Sequence, residues 1–216
     1  MSEPFQFQTR LNLVELLGRR ATTVRELLDG IREVPAASIY HHTHRFLQQH
    51  HLLSPEPPND FAYWVSGALS MDDIAERLAS VDTVRYRRIN DLRERYVEIL
   101  DKALAARRNS WPVCQENDEF HFMSCRTFII PLPIVARDVP EFLDALGRIS
   151  VNSLYYHVFE SRLRMERGEN DFAVWFEERG NRELAKALSR LDPYTITLEG
   201  LRQEISGLVR RHVQDR

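Results

Sequence analysis

The feature that most constrains this chain is that its first half recurs in its second. At an offset of 115, Phe5-Gln-Phe7 lies over Phe120-His-Phe122, and Glu26-Leu-Leu28-Asp29 lies over Glu141-Phe-Leu143-Asp144. Ser38-Ile-Tyr40-His-His42 lies over Ser153-Leu-Tyr155-Tyr-His157. Eleven of the 38 aligned positions from Phe5 to His42 are identical, where roughly two would match by chance at average composition. At offset 111, Asn59-Asp-Phe-Ala-Tyr-Trp64 matches Asn170-Asp-Phe-Ala-Val-Trp175 at five of six positions. A period near 110 is too long for a solenoid repeat and reads as the tandem duplication of a small domain. The expected boundaries are a first repeat over 1–106, a polar linker over 107–119 and a second repeat over 120–216.

Within each copy the pattern is mainly α. Each opens on alternating aromatic and polar residues, Phe5/Phe7 and Phe120/Phe122, a period-two signal for one short strand. The two strands are expected to meet as a ribbon across a pseudo-twofold axis, because a lone strand leaves its edges unpaired. Thr23-Val-Arg-Glu26 and Asp138-Val-Pro-Glu141 are capping boxes. Leu27, Leu28, Ile31 and Val34 follow at helical spacing. Further helices are expected from Ser38 and Ser153, and from Asp60 and Asp171, each of these four residues serving as N-cap. The spacing also predicts helices over 72–80 and 182–190, and long amphipathic ones over 89–106 and 198–213. The fold class expected is therefore mainly α: a duplicated helical domain of about five helices and one short strand per copy.

Composition narrows the function classes. The 28% charged and 43% hydrophobic residues are those of an ordinary globular protein, and the formal charge of −3 gives no general basis for nucleic-acid binding. Cys114 and Cys125 have neither metal-type spacing nor a disulfide framework. The start MSEPFQFQ lacks the basic and apolar regions of a secretory signal, and the apolar runs are short and broken by proline, so no membrane span is expected. These features point to a cytoplasmic protein. A Gly-rich phosphate loop and a G-x-S-x-G elbow are both missing.

The one concentrated chemical candidate is the run His41-His-Thr-His-Arg-Phe-Leu-Gln-Gln-His-His51. On a helical wheel, Ile39, Thr43, Phe46 and Leu47 define an apolar face, His42 borders it, His50 falls within it, and His41, His44 and His51 fall opposite, on a solvated face. His42 recurs as His157, each two residues after a tyrosine, Tyr40 and Tyr155. Recurrence favours a structural pair bonded to a backbone carbonyl or to Asp60 and Asp171; paired functional histidines facing a common cleft are the alternative. His41 and His44, one turn apart, could share a divalent metal, but zinc needs three or four ligands near 2 Å. The solvated face is the blander reading. Trp64 and Trp175 read as core, with a sugar-stacking platform as the sharper alternative. The candidate ligand or partner residues are thus Tyr40, His41, His42, His44, His51, Tyr155 and His157.

The runs Ser38-Ile-Tyr-His-His-Thr-His-Arg-Phe-Leu47, Ser54-Pro-Glu-Pro-Pro-Asn-Asp-Phe-Ala-Tyr-Trp64 and Gly168-Glu-Asn-Asp-Phe-Ala-Val-Trp175 resemble a bacterial family of domains of unknown function. Members of that family are often encoded near glycosyltransferases and other sugar-metabolising enzymes. The resemblance covers nearly the whole chain and implies an accessory role near carbohydrate metabolism, with no catalytic residues to carry over. The expected function is a non-catalytic binding or regulatory protein that takes a protein partner or a small ligand and could form a homo-oligomer. The competing expectation is a metal-dependent hydrolase or sugar-acting enzyme using His41, His42, His44 and Asp60.

Overall fold

The computed structural model describes residues 3–49, 59–106, 111–161, 169–191 and 196–214. The chain begins with a long strand, β1 (Phe5–Ala21), followed by α1 (Val24–Glu33), α2 (Ala36–Gln49), α3 (Asp60–Gly67), α4 (Asp72–Ala79), a 3₁₀ turn (Thr83–Arg85) and α5 (Ile89–Ala106). A second long strand, β2 (Phe120–Ala136), leads to α6 (Val139–Arg148) and α7 (Val151–Tyr155), which runs into a π-helical turn (Tyr156–Glu160). Among the described residues three further helices follow: α8 (Asp171–Glu178), α9 (Arg182–Ser189) and α10 (Leu198–Gln214).

The expected mainly α fold, a tandem duplication with one short strand per copy, is corrected here. Each strand is 17 residues long, and the two pair as one antiparallel two-stranded sheet. The length escaped the period-two argument for a physical reason. Only the strand ends are buried; from Leu11 to Arg20, and from Arg126 to Val135, every residue is exposed or half-buried. With no buried face there is no alternation to read.

The chain divides into two compact units that do not follow chain order. Among the described residues, one comprises 12–49, 59–106 and 111–126, and the other 3–11, 127–161, 169–191 and 196–214. In the first, α1, α2, α4 and α5 pack together, with α3 against α2 and α4. Their core closes over Phe120 and Phe122 from the start of β2. In the second, α10 packs on α6, α7 and α9, and α8 on α9 and the π turn. Its core receives Phe5 and Phe7 from the start of β1, whose rings meet Phe142 and Phe172. Each unit is thus helices from one part of the sequence closed by a strand end from the other.

Local sequence sets the helix starts. Thr23 accepts from the Glu26 amide, and the Glu26 carboxylate accepts from the Thr22 amide at 2.7 Å and from the Thr22 hydroxyl. These two hydrogen bonds hold its carboxyl below the usual glutamate range. Asp138 and Glu141 repeat the arrangement, with the Arg137 amide as donor. The other expected caps are displaced. Asn59 and Asn170, not Asp60 and Asp171, accept from the Ala62 and Ala173 amides, at 2.9 and 2.8 Å. Ser150 rather than Ser153 caps α7, and α2 begins two residues before Ser38. Gly30 in α1 faces the buried Phe122 ring so closely that a Cβ there would stand 2.1 Å from its nearest atom.

Candidate functional site

The displaced caps explain what the two aspartates do. Asn170 does two jobs from a buried position: its carbonyl oxygen caps α8, and its amide donates to Leu188 O at 2.8 Å. The next residue, Asp171, is thereby held in the first turn of α8 with its carboxylate 2.8 Å from His157 Nδ1. On the other side of the ring, the Gln8 amide of β1 donates to His157 Nε2 at 2.8 Å. The Ser153 hydroxyl donates to Gln8 O at 2.6 Å. A neutral imidazole has one donor and one acceptor nitrogen. Because Nε2 accepts from a peptide N–H, the proton sits on Nδ1 and is donated to Asp171. The buried ring packs among Phe5, Phe7 and Phe172.

The other unit builds the same arrangement. Asn59 caps α3 and donates to Leu78 O at 3.0 Å. Asp60 meets His42 Nδ1 at 2.8 Å, and the Met123 amide of β2 donates to His42 Nε2 at 2.9 Å. Phe61, Phe120 and Phe122 surround the ring. The expectation that His42 and His157 bond to Asp60 and Asp171 is thus met. Each histidine lies in the core of its own unit. What the sequence did not show is the backbone partner: it is an N–H of the exchanged strand, so each pair is a clasp on a strand edge. The clasps differ in exposure, the Asp60 side chain being 40% exposed and that of Asp171 14%.

His41 and His44 depart from the expected solvated face. Both are 6% exposed. The wheel failed because residues 38–44 are buried on every side, and a wheel ranks faces only when one of them meets water. His44 stacks on Tyr40 with ring centroids 5.0 Å apart, and its Nδ1 lies 2.8 Å from the Thr43 hydroxyl. Since that hydroxyl donates to Ile39 O, His44 Nδ1 is the donor of the pair. His41 stands edge-on to His42. Tyr155 is buried beneath the Arg10 guanidinium, which pairs with Glu160 at 2.7 Å. His51, with His50 and 52–58, lies outside the described residues.

Among the described residues, His41, His42 and Asp60 bring possible metal-ligand atoms within 4.8 Å of one another; His44 is not in that set. An ion on His42 Nδ1 would displace the ring proton to Nε2, where it would face the Met123 N–H, donor against donor. Cation binding there would therefore cost the strand its hydrogen bond. Neither clasped histidine has a lone pair left for a metal or for a substrate proton.

The Trp175 ring has no open face. Phe142 lies nearly parallel on one side, at 5.4 Å, and the Arg179 guanidinium covers it at 4.1 Å. It and Trp64 are core residues whose indole N–H groups donate to the backbone just before each strand, at Glu3 O and Asp118 O. Beside the His157 clasp opens a cleft of about 290 Å³, bordered by Glu3, Gln6, Asp171, Val174, Trp175 and Glu178.

This architecture has relatives. The chain matches a family of unknown function, DUF5752, over residues 2–210. It belongs to that family. In structure it is similar to OrfY from Thermoproteus tenax, with 30% sequence identity and a TM-score of 0.82, the match covering 98% of this chain and 96% of that one. No curated protein sequence matches it. No helix among the described residues is long and apolar enough to cross a membrane.

Proposed function

We propose that this protein is a non-catalytic binding or regulatory protein whose small-ligand site is the cleft beside His157. The observation that carries the reading is the double commitment of both clasped histidines. The groups best suited to acid–base or metal chemistry are used to hold strand ends, with Nδ1 donating to an aspartate and Nε2 accepting from a strand amide. The cleft supports the binding half of the reading. It is concave, close to the lower size bound of small-molecule sites, and combines the rim carboxylates of Glu3 and Glu178 with the side chain of Gln6. The sequence resemblance supplies the ligand class to try first, neutral sugars, whose hydroxyls can donate to these carboxylates, in an accessory role to carbohydrate metabolism; sugar phosphates, repelled by them, serve as the contrast.

The test pairs a binding assay with a metal assay on tag-free protein. Intrinsic fluorescence is titrated with a panel of free sugars and sugar phosphates, in the wild type and in Val174→Trp, which fills the cleft. The expected result is saturable one-to-one binding that Val174→Trp abolishes, with a melting temperature indifferent to chelator. Stoichiometric metal that stabilises the protein, turnover of a panel compound, or binding untouched by Val174→Trp would overturn the reading.

A further inference from the structure

The cleft beside His157 is lined wholly from one unit, the one that holds 3–11 and the chain after 126, and its side chains restrict what a ligand must offer. Glu3 and Glu178 bring carboxylates to the rim, and Asp171 brings a third, whose Oδ2 is already engaged by His157 Nδ1. Among the described residues, no lysine or arginine lines it. His157 adds no positive charge, because the ring is neutral while its Nε2 accepts from the Gln8 amide. Arg179 stands close by, but its guanidinium lies over the Trp175 ring at 4.1 Å and donates to Glu3 O at 3.3 Å.

The neutral side chains point the same way. Gln6 Nε2 donates to Leu132 O at 2.6 Å and to Phe7 O at 3.1 Å, which commits both amide hydrogens and leaves Oε1, an acceptor, for a ligand. Trp175 Nε1 donates to Glu3 O at 3.2 Å. Gln8 Oε1 accepts from the Tyr156 hydroxyl at 3.0 Å, so Nε2 of Gln8 is the side-chain donor that remains. The lining side chains thus set three carboxylates and an amide oxygen against a single neutral donor. A hydroxyl group donates one hydrogen bond, whereas an ammonium donates three, accepts none and bears the charge opposite to that of a carboxylate. A phosphate, which supplies acceptors and negative charge, is the poorest match.

We infer that the ligand of this cleft is an amino sugar carrying a free, protonated amine. The inference rests on the reading of the cleft as a sugar site and narrows it: the ammonium sits among the carboxylates, and a ring hydroxyl accepts from Gln8 Nε2. The cleft's volume of about 290 Å³ lies close to the lower bound for small-molecule sites and suits one sugar ring rather than a chain of them.

Calorimetric titration of the full chain with glucosamine, glucose and N-acetylglucosamine tests this, in a slightly acidic, low-salt buffer that keeps the amine protonated. Glucosamine is expected to bind roughly tenfold tighter than glucose, since exposed ion pairs contribute little singly and several act together here. N-acetylglucosamine keeps the ring but loses the charge, and should bind no tighter than glucose. Glu178→Gln retains an oxygen to accept from a hydroxyl but removes a charge, so the ratio between glucosamine and glucose should shrink severalfold. Added salt should shrink it too. Glucose bound as tightly as glucosamine overturns the inference and leaves the sugar cleft standing, whereas no binding of any of the three overturns both. A preference for glucosamine that survives Val174→Trp, or that Glu3→Gln and Glu178→Gln together leave intact, also overturns it. Should the variants fail to fold by circular dichroism, the wild type decides: a ratio that falls with salt supports the inference, and one indifferent to salt refutes it.

Discussion

His157→Leu is the perturbation that most directly tests the clasp. Leucine keeps an apolar body among Phe5, Phe7 and Phe172 but removes both hydrogen bonds of the ring. The Gln8 amide loses its acceptor and Asp171 loses its donor. A part-buried amide left unpaired costs about 1–3 kcal/mol, and a carboxylate deprived of a charge-assisted partner costs at least as much again. The expected loss is about 3–5 kcal/mol. Asp171→Asn leaves an oxygen to accept from Nδ1–H, so its expected cost is about 1 kcal/mol. The double variant should cost less than the sum, because once His157 is gone the asparagine no longer weakens a hydrogen bond to it. Amide exchange reads the local part of the effect. A loss of about 3 kcal/mol at the Gln8 N–H corresponds to exchange faster by roughly a hundredfold. Urea unfolding reads the whole, with coincident probes required because there are two units. A loss below about 1 kcal/mol together with unchanged Gln8 exchange would mean that the pair does not hold the strand.

Three further outcomes are expected. Gly30→Ala drives a methyl into the Phe122 ring and should cost at least the upper part of the about 1–3 kcal/mol typical of overpacking, lowering the melting temperature by several degrees; Gly147→Ala, with open space at its Cβ, should not lower it. Because the Thr22 hydrogen bonds depress the Glu26 carboxyl, their stabilisation is complete above the unfolded glutamate value and is lost as pH falls through the depressed one. The stability gap between wild type and Glu26→Gln should therefore be present at neutral pH and close in acid, as followed by pH-dependent melting. Cys114, whose thiol is pushed up first by burial and then by Glu119, should react with iodoacetamide at pH 8 more slowly than free cysteine, measured by mass spectrometry.

What was legible in the sequence was local. Thr23 and Asp138 announced their helices because a capping box is complete within four residues, and α5 was bounded correctly at Ile89 and Ala106 because one face of it is steadily apolar. The pairing of the two strands was also legible, since a lone strand is unstable. Their length was not, because both faces of the middle meet water and because Pro131 and Pro133 argue against a strand unless it is an edge. The Asn–Asp pairs at 59–60 and 170–171 were visible, but which residue caps and which reaches the histidine depends on a one-residue offset that only the folded helix fixes. The burial of His41 and His44 escaped for the opposite reason: a helix covered on all sides leaves no polar stripe. The Gln8 and Met123 amides carry no side-chain signal, so the second half of each clasp could not be read from residue types.

The exchange of strand ends has a consequence for how the chain is made. Residues 3–11 belong to a unit otherwise built, among the described residues, from the chain after 126. During synthesis, Phe5 and Phe7 emerge well before α6, α7 and α8 and wait for them before they can be covered. Domains ordinarily fold in order as they leave the ribosome. Here the first unit to close is the later-starting one, 12–126, and it can do so only when Phe120 and Phe122 arrive. Nascent chains arrested before residue 120 should therefore remain protease-sensitive throughout, and protection should appear in two steps, the second covering Phe5 and Phe7, made more than a hundred residues earlier.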